Sequence, residues 1–361
     1  MYPCSNVDEI RGVFPKTPLR IVLLFCTLLP LAGFGSESGH SADPVAAMIA
    51  ELGLKEASVA SRDVPGWKKP TRVAVLAGPE RREWLQKAVP GVLVSATTKF
   101  NEQAQHAAGA QVVVGYCLMG QVFDDPALHW LQSMTAGVEG CLEGERVRTG
   151  KAILTNAQGL YGPEIAEHVM AMALTLTRGI DVYQRHQRDE TWLRRPDFGG
   201  APPSTMGEQT MLVVGLGGIG RQVAKRAKAL GMTVLATRSS SREGPPYVDR
   251  VGLASELMES LGEADIVVNS TPLTPSTRGL FDRQAFAAMR NTAYFINIGR
   301  GPSVVTDDLV AALKEGDIAG AGLDVFDPEP LPDKHPLWSM PRVIITPHVA
   351  AQSPVATERL W

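Results

Sequence analysis

The sequence predicts an α/β protein of two domains, and three observations carry that prediction. From Thr71 onward, short runs of strand character alternate with amphipathic stretches, the pattern of parallel strands joined by crossover helices. The alternation breaks once, near Gly162, and then restarts. A chain of 361 residues, 44% of them hydrophobic, holds enough apolar material for two domains of ordinary size.

In the first series, "TRVAVLAG", "GVLVSAT", "AQVVVGY", "LHWLQSMTAG" and "KAILTNA" are the strand segments, with "PERREWLQKAV" and "KFNEQAQHAAG" as helices between them. The break is "PEIAEHVMAMALTLTRGIDVYQRHQ", read as one long helix with Pro163 in its first turn. A loop rich in Arg, Pro and Gly follows, Arg194 to Gly207. The second series has six strands: "TMLVVGLG", "TVLATR", "ADIVVNSTP", "AYFINIG", "AGAGLDVF" and "RVIITPH". Six strands with intervening helices suit a full dinucleotide-binding domain. No repeat at solenoid periods interrupts either series.

The first forty residues differ from the rest. Arg11, Lys16 and Arg20 precede the apolar run Ile21 to Gly35, which is short for a bilayer span and has small residues at Gly33 and Gly35. This reads as a secretory signal over 1–35, followed by an extension over 36–70, and implies a periplasmic or secreted protein with no membrane anchor after cleavage. The alternative is a misassigned start, with Met48 as the true one, and a cytoplasmic protein. Cys4, Cys26, Cys117 and Cys141 show neither metal spacing nor a disulfide framework. Cys117 and Cys141 are therefore expected to be small apolar residues. Net charge is −3 with the signs interspersed, so a small molecule is a better partner than nucleic acid.

The strongest local motif is Gly215-Leu216-Gly217-Gly218-Ile219-Gly220, with a strand before it and the amphipathic "RQVAKRAKALG" after it. Gly215 permits a tight turn, Gly217 lets a pyrophosphate approach the backbone, and Gly220 lets helix and strand pack closely. The pyrophosphate then meets the helix N-terminus. The next strand ends at Arg238, where an acid would normally bind the ribose of NAD. No acid follows until Glu243; Arg238, Ser239, Ser240 and Ser241 instead suit the 2′-phosphate of NADP(H), with Arg242 as a second charge. NADP(H) is thus favoured and NAD(H) is the alternative. The rival reading of Arg238 is a solvated loop arginine.

Ligands of open α/β sheets bind beyond the carboxyl ends of the strands. Past "AYFINIG" lies Arg300, past "AGAGLDVF" lies Glu329, and past "RVIITP" lies His348. A guanidinium, a carboxylate and an imidazole therefore converge on one sheet edge. Singly, each has a plain alternative: a capping arginine, a loop carboxylate, a structural histidine. His335 is a weaker candidate for the imidazole.

At these residues the chain resembles the D-isomer-specific 2-hydroxyacid dehydrogenases, and among them the glyoxylate/hydroxypyruvate reductases. The resemblance is dense from Thr210 to Val349, through "VVGLGGIG", "ADIVVNSTPLTPSTRGL", "INIGRGPSVVTDDLVAALKEGDIAGAGLDVFDPEPLP" and "PLWSMPRVIITPH". It is looser through "LHWLQSMTAGVEG" and "IAEHV", and absent before about residue 70. It implies a Rossmann dinucleotide-binding domain (161–349) inserted in a flavodoxin-like substrate domain (71–160). It implies catalysis by Arg300, Glu329 and His348, without a metal. The cofactor would be lined by Gly215, Gly217, Gly218, Ile219, Gly220, Arg238, Ser239, Thr271, Pro272, Ile298, Gly299, Arg300, Asp324 and His348. The loops "GYCLMG" and "MTAGVE" would bind the carboxylate of a small 2-keto or 2-hydroxy acid, and the protein would be a homodimer. The family's crossover helix would begin within 350–361, so the substrate domain is expected to lack its last segment. The alternative on the same fold is a regulatory or inactive cofactor-binding protein.

Overall fold

The computed structural model describes residues 68–361 except Leu118, Met119 and Gly200. The signal-like segment, Met48, Cys4 and Cys26 lie outside the described residues, as does most of the extension.

The first series folds as β1 (Arg72–Leu76), β2 (Leu93–Thr97), β3 (Val112–Gly115), β4 (Trp130–Ser133) and β5 (Ile153–Thr155), all parallel in the order β2-β1-β3-β4-β5. That order is flavodoxin-like. Ala74, Val113, Phe123, Leu128 and Leu131 fill the core under this sheet.

The second series forms β6 (Thr210–Val214), β7 (Thr233–Arg238), β8 (Arg250–Leu253), β9 (Ile266–Asn269), β10 (Tyr294–Asn297), β11 (Gly320–Leu323) and β12 (Val343–Ile345). They pair in parallel in the order β12-β11-β10-β9-β6-β7-β8. Strands β9, β10 and β11 are buried at every residue, because helices cover both faces of a parallel sheet. Two apolar layers result, one around Val169, Val213, Val223 and Ile296, the other around Leu212, Val267, Phe286 and Phe295. The chain leaves β6 toward β8, then returns to β9 and runs the other way. The crevice at this reversal, between β6 and β9, is where such sheets hold ligands.

Three expectations are corrected. The long helix is two, Gly162–Thr177 and Ile180–Arg188, because Gly179 adopts a left-handed backbone (φ 65°) that ends the first and caps the second. The second sheet has a seventh strand, β8. It is a four-residue edge strand with two buried residues, too short to show a period. Cys117 and Cys141 are not separate apolar side chains but a disulfide, with Cα atoms 4.6 Å apart. The adjacent strands β3 and β4 bring their following loops together, which the 24-residue sequence separation does not reveal.

Arg342 ties the helix break to the sheet. It is 3% exposed. Its Nη2 donates to the Leu176 carbonyl and to the Tyr294 hydroxyl, its Nε lies 3.5 Å from Asp181 Oδ2, and its Cζ sits 5.3 Å from the centroid of the Tyr294 ring. Burial pushes the Asp181 carboxyl up, against the pull of Arg342 and Arg185.

Candidate active site

The glycine fingerprint sits where β6 turns into the helix Gly218–Ala229. Gly215 has φ 96°, and a Cβ at Gly220 would lie 2.1 Å from the Gly215 carbonyl oxygen, so neither position accepts a side chain without backbone movement. At Gly217, by contrast, a Cβ would meet nothing within 4 Å: the backbone there faces open space. The first amides of a helix lack intrahelical acceptors, and here they belong to Gly218, Ile219 and Gly220. Open backbone beside a helix N-terminus fits the pyrophosphate of a dinucleotide.

A cleft of about 380 Å³ continues from the fingerprint. Gly215, Gly217, Arg238, Ser239, Thr271 and Pro272 line it, joined by Ser240, Thr274 and Ser276. Arg238 lines the cleft and spends one N–H on the Glu243 carbonyl, 3.0 Å away. Arg242 does not provide a second charge there. Glu256 takes both its Nη atoms, at 2.7 and 2.6 Å, and also accepts from the Leu253 amide. That pairing across the β8 turn was invisible while β8 itself was unrecognised.

A second cleft, of about 540 Å³, lies between the two sheets and is lined by Ile219, Ile298, Arg300, Asp324 and His348 from one side and by Tyr116, Thr135 and Gly137 from the other. Three strand ends supply its polar groups. Arg300 follows β10, and its backbone carbonyl is held by Ser303 Oγ (2.6 Å) and Asn297 Nδ2 (3.3 Å). Asn297 belongs to a buried amide network with Asn269, which also accepts from the Thr271 hydroxyl. Thr271 and Gly299, whose amide donates to Asn297 Oδ1 at 3.1 Å, are thus held by this strand-end network.

His348 Nδ1 lies 2.9 Å from Glu329 Oε2, and Glu329 Oε1 accepts from the Phe326 amide at 2.9 Å. The hydrogen bond that His348 donates to Glu329 raises the His348 pKa above its ordinary value; burial and the Arg300 charge oppose this, while the Glu329 and Asp324 charges add to it. Burial pushes Glu329 up, but His348, the Phe326 amide and Arg300 together hold it below the ordinary carboxylate value. With Nδ1 engaged, Nε2 has no partner among the described residues.

Asp324 does more than line the cleft. Its Oδ1 accepts from Thr346 Oγ1 (2.6 Å) and the Val349 amide (2.9 Å), its Oδ2 from the Ala350 amide (3.1 Å), and its backbone carbonyl from the His348 amide (2.8 Å). These bonds hold His348 at φ 55°, a left-handed backbone that few non-glycine residues adopt. His168 extends the network, with Nε2 2.9 Å from Thr346 Oγ1. Sequence reasoning missed Thr346 and His168, and it missed Glu139, whose Oε1 accepts from Arg300 Nε at 3.1 Å. Glu139 is the last residue of the loop "MTAGVE", where nothing local distinguishes it from any loop carboxylate. His335 stays apart, bonding the amide of Leu337 through its own ring.

The chain is similar to known proteins in both sequence and fold. The family described as "D-isomer specific 2-hydroxyacid dehydrogenase, NAD binding domain" matches residues 170–350. The glyoxylate/hydroxypyruvate reductase A of Serratia proteamaculans is 34% identical over 224 residues, 61% of this chain and 69% of the relative. The NADPH-dependent glyoxylate/hydroxypyruvate reductase of Sinorhizobium meliloti, solved with NADP and sulfate, superposes with a TM-score of 0.68 at 30% identity, over 81% of this chain and 92% of the other. A D-isomer specific 2-hydroxyacid dehydrogenase from Xanthobacter autotrophicus, solved with NADPH and MES, gives a TM-score of 0.68 at 27% identity, covering 81% and 92% of the two chains. A fingerprinted doubly wound sheet facing a second parallel sheet across a polar cleft defines a nicotinamide-dependent oxidoreductase acting on a CH–OH group. The chain belongs to the D-isomer specific 2-hydroxyacid dehydrogenase family.

Proposed function

We propose that this protein reduces a small 2-keto acid to the 2-hydroxy acid, with NADPH as the preferred reductant. The observation that carries the reading is the His348–Glu329 pair at 2.9 Å, sharing one cleft with Arg300. Reduction of a ketone builds negative charge on the carbonyl oxygen, which calls for a proton and a nearby cation. The bound nicotinamide supplies the hydride. His348, whose imidazolium form Glu329 favours, gives the proton from Nε2. Arg300 holds the substrate carboxylate and polarises the carbonyl. Glu329 orients the ring through Nδ1 and so keeps the proton on the nitrogen that faces the cleft. The names of the relatives support glyoxylate and hydroxypyruvate as first substrates to try. A panel of 2-keto acids with NADPH and NADH tests the proposal; absence of turnover with every one of them would refute it.

Glu329 raises the His348 pKa, so Glu329→Gln is expected to lower it. Reduction needs the imidazolium and is lost as pH rises through that pKa. The alkaline fall-off of kcat/KM should therefore move to lower pH in the variant. An unmoved profile would make Glu329 a mere loop carboxylate.

The preference for NADPH is expected to rest on Arg238. A charge-assisted bond to phosphate is worth about 1.5–3 kcal/mol, or roughly tenfold to a hundredfold in preference. Arg238→Asp should weaken NADPH by that factor and restore use of NADH. The check is kcat/KM for both cofactors in both proteins, and a parent that already prefers NADH contradicts the assignment.

A further inference from the structure

We propose that Glu139 is the positioning and charge-selecting residue of the substrate subsite. It fixes the Arg300 guanidinium, and it sets the local charge so that 2-keto acids with one carboxylate are taken in preference to those with two. This rests on the reading of Arg300 as the group that meets the substrate carboxylate.

Glu139 opens the short 3-10 turn Glu139–Glu143, on the opposite side of the cleft from β10. Arg300 Nε donates to its Oε1 at 3.1 Å, and Arg300 Nη1 donates to the Gly299 carbonyl at 2.7 Å. Nε and one N–H of Nη1 are thereby committed, and the nitrogen with both N–H groups left for a ligand is Nη2. That nitrogen lies against Gly137, where a Cβ would stand 1.8 Å from it. The guanidinium therefore rests on bare backbone, with its rotation stopped by Glu139. The loop beneath is itself fixed, because Thr135 Oγ1 donates to the Gly137 carbonyl at 2.8 Å and Cys141 is bonded to Cys117.

The charges around this point are unequal. Among the described residues lining the cleft, Arg300 is the one arginine or lysine; His348 adds a positive charge when protonated. Against them stand Asp324 in the lining, Glu139 on Arg300 and Glu329 on His348. One substrate carboxylate finds a cation. A second finds none, and meets carboxylates instead.

Glu139→Gln separates the two roles. Its amide oxygen can still accept from Arg300 Nε, while the negative charge is gone. Glu139→Ala removes both charge and anchor. Repulsion between two carboxylates at contact range, screened by a partly exposed site, corresponds to about a tenfold effect. The experiment measures kcat and KM for glyoxylate (one carboxylate) and oxaloacetate (two) in the parent and both variants. Calorimetric binding of oxamate and oxalate to the same three proteins accompanies it.

We expect Glu139→Gln to raise the oxaloacetate-to-glyoxylate ratio of kcat/KM about tenfold, to tighten oxalate more than oxamate, and to keep a kcat for glyoxylate above that of Glu139→Ala. Glu139→Ala should show the same charge preference but a reduced kcat for glyoxylate, because the guanidinium is no longer held. Unchanged ratios in both variants overturn the charge role, and equal kcat in Gln and Ala variants overturns the positioning role. If the parent reduces no 2-keto acid, the proposed activity fails, yet the oxalate-to-oxamate ratio across the three proteins still decides the charge role. Failure of the parent to bind either anion overturns both.

Discussion

Replacing His348 with Ala should lower turnover by roughly 10²–10⁴-fold, the usual worth of a positioned proton donor. The affinity for NADPH should change far less. Gly217, Arg238 and Thr271 line a cleft that His348 does not reach, so most of the dinucleotide's contacts would survive. Stopped-flow turnover and fluorescence titration of NADPH on the same preparation separate the two quantities. Near-normal turnover would remove His348 from the reaction. A parallel collapse of NADPH binding would show that the variant had disturbed the strand-end scaffold rather than the proton supply.

The second large effect lies away from the cleft. Arg342→Ala should destabilise the fold by about 3–5 kcal/mol, the cost of stranding one partner of a buried charge pair. The guanidinium holds the Leu176 carbonyl, the Tyr294 hydroxyl and the Asp181 carboxylate at once. Its loss leaves Asp181 inside with no close cation of that kind. Burial already raises the Asp181 pKa, and removing the cation raises it further. A carboxyl whose folded pKa lies above its unfolded value favours the fold when protonated and opposes it as pH rises through the folded value. The deficit of Arg342→Ala should thus be largest near neutral pH and shrink on acidification. Urea unfolding of parent and variant at both pH values measures it, and Asp181→Asn in the Arg342→Ala background should recover part of the loss. A pH-independent deficit below about 1 kcal/mol would mean the pair carries little.

Much of this molecule was legible because its information is local. Parallel strands announce themselves as short apolar runs, and the fingerprint from Gly215 to Gly220 has fixed spacing around one strand–helix turn. Once strand ends are known, the rule that ligands gather at their carboxyl edge brings Arg300, Glu329 and His348 together without any coordinate. What escaped was set by tertiary contact. Glu139 meets Arg300 across 161 positions of sequence, and no periodicity spans that gap. Cys117 and Cys141 meet because β3 and β4 are neighbours. Arg242 reads as a second charge for a phosphate because it shares the serine loop with Arg238; Glu256 pairs it from 14 residues away, across a strand too short to read. Gly179 escaped for a different reason: a single glycine within a helical pattern is tolerated often enough that only its backbone angle shows the break.

The left-handed backbone at His348 bears on which residues this position can accept. Most side chains resist that conformation; glycine accepts it freely, and asparagine and aspartate tolerate it best among the rest. Asp324 and the amides it binds enforce the turn whether or not the imidazole is present. Substitution of His348 by Asn, Asp or Gly is therefore the change expected to remove the proton donor while leaving the turn, and the strand-end scaffold around it, in place.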